Sequence, residues 1–328
     1  MGRGCDLLPI AFPSPRALYP VRMTFNPNAE IRSSNTRSGG GGGGFRPGRG
    51  GIAIGGGASG VVILIIVLIM LFTGRNPLDL LGTQPQAGQQ QHQPAQGGEL
   101  EHCQTGADAN KRDDCLVQAS VESTDSVWAQ VAPASGIQFR EAQARVFEGS
   151  VQTGCGAASS ATGPFYCPAD ETIYVDVSFF QELESQFGSD GGQLAKIYVV
   201  AHEYGHHIQR LDGTLEKADM RDTGPQGQAV RLELQADCYA GLWAHHASKS
   251  TDDEGRPMLE PLTRKDIESA LSAASAVGDD HIQGELGGGQ VTPETWTHGS
   301  SQQRTAWFIR GYEQGTVKAC NTFAVDKV

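Results

Sequence analysis

The sequence predicts an α+β domain, mostly helical with a small sheet, preceded by one transmembrane helix. Three observations carry that expectation. Apolar residues recur near a 3.6-residue period through several long segments after residue 113. Short β-branched runs alternate as strands do, and Thr172–Val177 (TIYVDV) is the clearest of them. No charge falls between Arg49 and Arg75, and within that gap Val61–Phe72 is apolar throughout.

In chain order, residues 1–50 read as a disordered basic and Gly-rich tail that runs into six consecutive glycines, Gly39–Gly44. Met23 is a candidate start, because residues 1–22 share no character with the rest of the chain. A helix over residues 61–72 spans only about 18 Å, against a hydrocarbon core of roughly 30 Å. Extension back to Ile52 makes it long enough to cross. A cleaved signal peptide fits less well, since the stretch before the apolar run is too long and no clear Ala-x-Ala site comes after it. Seven of the 25 basic residues and two of the 37 acidic ones precede residue 74, a net of +5, which leaves −17 for the remainder. That bias is expected to keep the N-terminus in the cytoplasm and to put the rest outside. The protein is thus expected at the cell membrane as a single-pass chain, with an anchor at 51–73, a flexible linker at 74–100 and a folded extracytoplasmic domain over 101–328.

Cysteine usage points the same way. Cys5 stands alone, and six more lie beyond the apolar run. An even set with two close pairs suggests disulfides formed in an oxidising compartment, with Cys103–Cys115, Cys155–Cys167 and Cys238–Cys320 as the expected pairing. The acidic balance of this part argues against nucleic acid as a partner.

Within the domain, helices are expected over Asp113–Val131, Phe179–Phe187, Gln193–Leu211, Gln228–His246, Thr263–Val277 (with Thr263 as N-cap) and Ser301–Glu313. Strands are expected at Arg145–Phe147 and Thr172–Val177, the latter as an edge strand that borders the cleft and can pair with an extended substrate. The loop GCGAASSATGPFYCP lies between them, where Cys155–Cys167 can pin it.

The stretch that organises the reading is His202-Glu203-Tyr204-Gly205-His206, which fits the pattern His-Glu-x-x-His of zinc peptidases. Residues four apart on a helix share a face, so both imidazoles can meet one Zn²⁺. Glu203 is offset toward the same cavity, where a carboxylate can take a proton from water and pass it to a leaving amine. The bland alternative is an ordinary helix with two surface histidines.

A catalytic zinc takes three protein ligands. The metzincin continuation His-x-x-Gly-x-x-His is absent, because Gln209 and Asp212 stand at its glycine and last histidine. Asp212 remains a minor option. Glu233 is the better candidate, because Glu233-Leu-Gln-Ala-Asp237 resembles the second-helix motif of thermolysin-like gluzincins. There the glutamate binds zinc and the aspartate accepts from a ligating histidine. Of the other histidines, His207 points about 100° away from His206, toward solvent or a structural contact. His245 and His246 suit a helix C-terminus. His298, in a turn before the last helix, is a candidate to stabilise an oxyanion, or else a loop residue capping that helix.

From about Cys103 to Phe323 the chain resembles the YpfJ-like family of bacterial neutral zinc metallopeptidases. The carrying segments are GCGAASSATGPFYCPADETIYVDVSFFQEL, VVAHEYGHHIQ, RLELQADCYAGLWAH, VGDDHIQ and HGSSQQRTAWFIRGYEQG. The resemblance implies a zincin-like fold, an N-terminal membrane anchor and peptidase activity, and it carries over onto His202, Glu203 and His206 without naming a substrate. The expected function is a zinc-dependent peptidase, most simply an endopeptidase, acting on peptides or proteins on the outer side of the membrane. Zn²⁺ would be held by His202, His206 and Glu233, with Glu203 as base, Asp237 orienting a ligand histidine, and His298 beside the reacting carbonyl. The rival is a membrane-tethered, zinc-stabilised binding or adaptor protein without turnover.

Overall fold

The structure is a computed structural model that describes residues 24–32, 35–39 and 98–328. A five-stranded sheet has the order β2-β1-β3-β7-β6. Its strands are β1 (Thr36–Gly39), β2 (Gly98–Glu99), β3 (Gln143–Phe147), β6 (Phe165–Cys167) and β7 (Thr172–Asp176). The central strands β1, β3 and β7 run parallel, while β2 and β6 close the two edges antiparallel. A separate hairpin, β4 (Ser150–Thr153) with β5 (Gly156–Ser159), sits beside it.

Alternation along the strands gives the sheet two different faces. Ala144, Val146, Tyr166, Ile173 and Val175 join the main core beneath the helices. Phe147, Phe165, Cys167 and Tyr174 form a small second cluster, covered by Val151 and Ala158 of the hairpin. The disulfide Cys155–Cys167 ties that hairpin to the end of β6.

The helices are α1 (Asp113–Ala134), α2 (Phe179–Ser185), α3 (Gln193–Asp212), α4 (Gln228–His246), α5 (Arg264–Ala276) and α6 (Ser301–Gln314), so the expected boundaries hold to within a turn. Local chemistry sets several of these ends. α3 stops at the Asp212-Gly213 pair. Thr263 and Asp266 close a capping box on α5. Ser300, not His298, caps α6 by accepting from the backbone N–H of Gln303. Cys103–Cys115 and Cys238–Cys320 are also bonded, which gives the three expected pairs.

Three expectations are corrected. First, part of the 1–50 tail belongs to the fold: Phe25, Ala29 and Ile31 are buried, and β1 pairs with β2 on one side and β3 on the other. Second, the single-pass membrane topology and localisation do not stand. One crossing between residues 39 and 98 would put β1 and β2 on opposite sides of a bilayer, yet Arg37 pairs with Glu99 and Ser38 with Gly98 in one sheet. Among the described residues no helix is long and apolar enough to cross a membrane. The expected anchor at 51–73, most of the 74–100 linker and residues 1–23 lie outside the described residues. Third, Thr172–Val177 is no edge: β7 has β3 and β6 as neighbours, and among the described residues the edge strands are β2 and β6.

Candidate metal centre

The site is built where α3 crosses α4. Gly205, the fourth residue of the motif, makes the crossing close: a Cβ there would lie 3.0 Å from Cα and 3.1 Å from the carbonyl oxygen of Ala236. That approach brings Glu233 and Asp237, one turn apart on α4, within reach of the histidines on α3.

His202 Nε2 lies 3.2 Å from Glu233 Oε2, and His206 Nε2 lies 3.5 Å from Glu233 Oε1. Donor atoms of these three buried residues all fall within 4.8 Å of one another. A tetrahedral ion with Zn–N bonds of 2.0–2.1 Å spaces its ligand atoms about 3.4 Å apart, close to the two histidine–glutamate separations. The other ring nitrogens are engaged. His202 Nδ1 is 2.8 Å from Asp237 Oδ1, and His206 Nδ1 is 2.8 Å from Gln209 Oε1. Both partners are acceptors, so each Nδ1 donates and each Nε2 keeps its lone pair for a cation. Gln209 is fixed in turn by donating to Leu232 O at 2.7 Å and to Gln235 Oε1 at 3.0 Å. Two imidazole nitrogens and one carboxylate, with a corner left over, match the donor set of a catalytic zinc.

The charges are arranged by burial and partners. Burial pushes the Glu203 carboxyl up to about 7, against the pull of His202 and a hydrogen bond from the backbone N–H of Tyr166. Burial opposes the charge on Glu233 too, but His206, His202 and His298 outweigh it and hold that carboxyl far below its usual range. For His202, burial works against the proton, yet Asp237 and Glu233 raise the ring to about 10. A cation entering the triangle would displace that proton.

Asp237 is the hub behind the histidines. Besides His202 it accepts from the Tyr198 hydroxyl at 2.5 Å and from the buried guanidinium of Arg304, whose Nε and Nη2 each lie 2.9 Å from one of its oxygens. Arg304 Nη1 donates to Val277 O at 3.1 Å. Thus α3, α4, α6 and the end of α5 meet at one fully desolvated carboxylate, whose unpaired burial would be costly. Arg304 reaches it because α6 lies against α4: a Cβ on Gly311 would come within 1.9 Å of Cys238 O, and one on Gly241 within 2.0 Å of Phe308 O.

His298 sits at the same site. Asp279 Oδ2 accepts from the backbone N–H groups of Thr297, His298 and Gly299 at 2.8, 2.7 and 2.9 Å, and its Oδ1 lies 3.3 Å from His298 Nδ1. His298 and Glu233 each favour the other's charged form, so the ring lies within electrostatic reach of Glu233.

The remaining candidates lie elsewhere. Asp212 accepts from Thr214 N at 2.8 Å and from the Tyr239 hydroxyl at 3.3 Å, apart from the cluster. His207 is buried rather than solvated, with burial pushing its pKa down. His245 and His246 bond Tyr312 O and Gly315 O, fastening the end of α4 to that of α6. Sequence reasoning misses Arg304, Tyr198, Asp279, Gln209 and Tyr166. Tyr198, four residues before His202 on the same face, carries a signal, but its spacing fits an apolar stripe equally well.

A helix bearing His-Glu-x-x-His, with a glutamate from the next helix closing the triangle and an aspartate behind it, defines a candidate metal centre of the zinc-peptidase type. The family model for "Putative neutral zinc metallopeptidase" matches residues 25–323, and the chain belongs to that family. An uncharacterised protein of Mycobacterium tuberculosis is 49% identical over 255 residues, 77% of this chain and 85% of that protein. The uncharacterised protein YpfJ of Escherichia coli K12 is 42% identical over 206 residues, 61% of this chain and 68% of its own. No solved structure matches.

Proposed function

We propose that the protein is a zinc-dependent peptidase, acting on peptide or protein substrates through an activated water. The observation that carries the reading is the convergence of His202 Nε2, His206 Nε2 and the Glu233 carboxylate, with both Nδ1 atoms tied back and Glu203 buried alongside. Bound zinc would act as a Lewis acid, drawing the pKa of a water toward neutrality and polarising the scissile carbonyl.

The chain's own residues supply the rest. Glu203 takes the proton of the attacking water and passes it to the leaving amine, a task suited to a carboxyl near pH 7. Asp237, backed by Arg304, keeps the His202 ring turned so that Nε2 faces the cation. His298, held by Asp279, donates to the oxyanion that develops as water adds to the carbonyl. The free edge of β6 runs beside Glu203 and offers backbone groups to an extended substrate.

The test is a peptide-library digest with the zinc-loaded protein and Glu203→Gln. Wild type is expected to cleave, while Glu203→Gln keeps its zinc and loses at least about a hundredfold in rate, the lower range for a general base. Cleavage by Glu203→Gln at the wild-type rate would remove Glu203 from the mechanism.

A further inference from the structure

His207 directly follows a candidate ligand, is fully buried, and takes no part in the metal triangle. Its two ring nitrogens are both engaged. Nε2 lies 2.8 Å from the carbonyl oxygen of Arg140, and Nδ1 lies 3.0 Å from the hydroxyl of Tyr166. A carbonyl can only accept, so Nε2 carries the hydrogen and Nδ1 accepts from the tyrosine O–H. One side chain thereby joins α3 to β6 and to the segment leading into β3.

Tyr166 is the middle residue of β6, and it meets helix α3 at two points. Its backbone N–H is close enough to favour the charged form of Glu203, and its hydroxyl donates to His207. Glu203 and His207 are four residues apart, so they lie one above the other on a single helix face, about 6 Å along the axis. A tyrosine side chain laid along the helix bridges that spacing, and the Tyr166 and His207 rings meet edge to face at 5.5 Å.

Apart from the packing of the Tyr166 ring in the main core, β6 has few ties among the described residues that fix its distance from α3. It is three residues long and pairs only with β7 among the described residues. Its remaining ties, the Phe165–Tyr174 stack and Cys155–Cys167, lie on the far face of the sheet, toward the hairpin. We infer that His207 and Tyr166 are a positioning pair that holds the free edge of the sheet against Glu203, and so sets where an extended substrate backbone meets the base. The inference rests on the peptidase reading for its consequence, but not for the geometry it invokes.

Tyr166→Phe removes the hydroxyl and keeps the ring. In the full-length zinc-loaded protein we expect unchanged zinc stoichiometry and a kcat lower by about tenfold to a hundredfold, the scale of a displacement near 1 Å at a reacting centre. KM should change much less. Hydrogen exchange gives a readout free of any substrate: the Tyr166 amide should exchange at least several-fold faster in Tyr166→Phe. Combining it with His207→Gln should add little to the exchange rate beyond the larger single effect, because both substitutions break the Tyr166–His207 bond and only His207→Gln also loses the bond to Arg140 O. If wild type cleaves nothing while the amide still speeds up in Tyr166→Phe, the positioning role stands and the peptidase reading fails. If amide exchange and turnover in Tyr166→Phe match wild type, the inference is overturned. It is equally overturned if kcat falls only in proportion to lost zinc or lost folded protein.

Discussion

Replacing a mid-helix glycine by alanine ordinarily stabilises a helix by about 1 kcal/mol. At Gly311 the sign should reverse. A Cβ there would lie 1.9 Å from Cys238 O, 2.8 Å from its carbonyl carbon and 2.9 Å from Leu242 N. All three are backbone atoms of α4, so no side chain can rotate away and the helices must part by at least about 1 Å before contact becomes normal. Overpacking of this kind costs about 1–3 kcal/mol, and rigid backbone on both sides argues for the upper end. Net of the propensity gain, Gly311→Ala should destabilise by about 2 kcal/mol, or about 4–8 °C in Tm for a domain of this size. Parting the helices also draws Arg304, two turns earlier on α6, away from Asp237, so zinc should bind more weakly as well. Thermal melts followed by circular dichroism, with and without zinc, read both effects. Gly241→Ala should behave alike, since its Cβ would lie 2.0 Å from Phe308 O. A Tm raised by Gly311→Ala would refute the argument, because helix propensity would then outweigh the crossing.

Two further perturbations test the surroundings. Asp237→Asn keeps the shape but removes the charge that His202 and Arg304 share, so zinc affinity in a chelator competition should fall about 10–100-fold; an unchanged affinity would remove Asp237 from the ligand network. Among the disulfides, Cys238–Cys320 closes a separation of 82 residues, against 12 for each of the other two. Chain entropy then assigns it about 4.5 kcal/mol and each of the others about 3 kcal/mol. Paired Cys→Ser variants in urea should rank in that order, and the reverse ranking would contradict it.

The motif helix is legible because its chemistry and its period coincide: residues four apart face one point, and the apolar positions repeat around them. Glu233 is legible for a similar reason, as an acid among apolar neighbours on the next helix with an aspartate one turn on. β7 announces itself through alternating β-branched residues. By contrast, β1 is Thr-Arg-Ser-Gly beside a glycine block, with no pattern of its own, and its pairing with β3 is decided entirely by tertiary context. β5 is Gly-Ala-Ala-Ser, which no strand propensity would select; the hairpin is held by ladder pairs and a disulfide. Arg304 is invisible for another reason. A charged residue on an amphipathic helix reads as solvated, and its burial depends on a carboxylate from a different helix 67 residues away. The apolar run at 61–72 is persuasive in isolation, but nothing in its own residues signals that the strands flanking it share one sheet.

The most direct test of the central claim is the metal content of the purified full-length protein, wild type beside Glu233→Ala and Asp212→Ala. The arrangement of His202, His206 and Glu233 predicts about one zinc per chain in wild type and in Asp212→Ala, and loss of zinc in Glu233→Ala. Zinc retained in Glu233→Ala and lost in Asp212→Ala would contradict the proposed centre, and wild type without zinc would contradict the peptidase built on it.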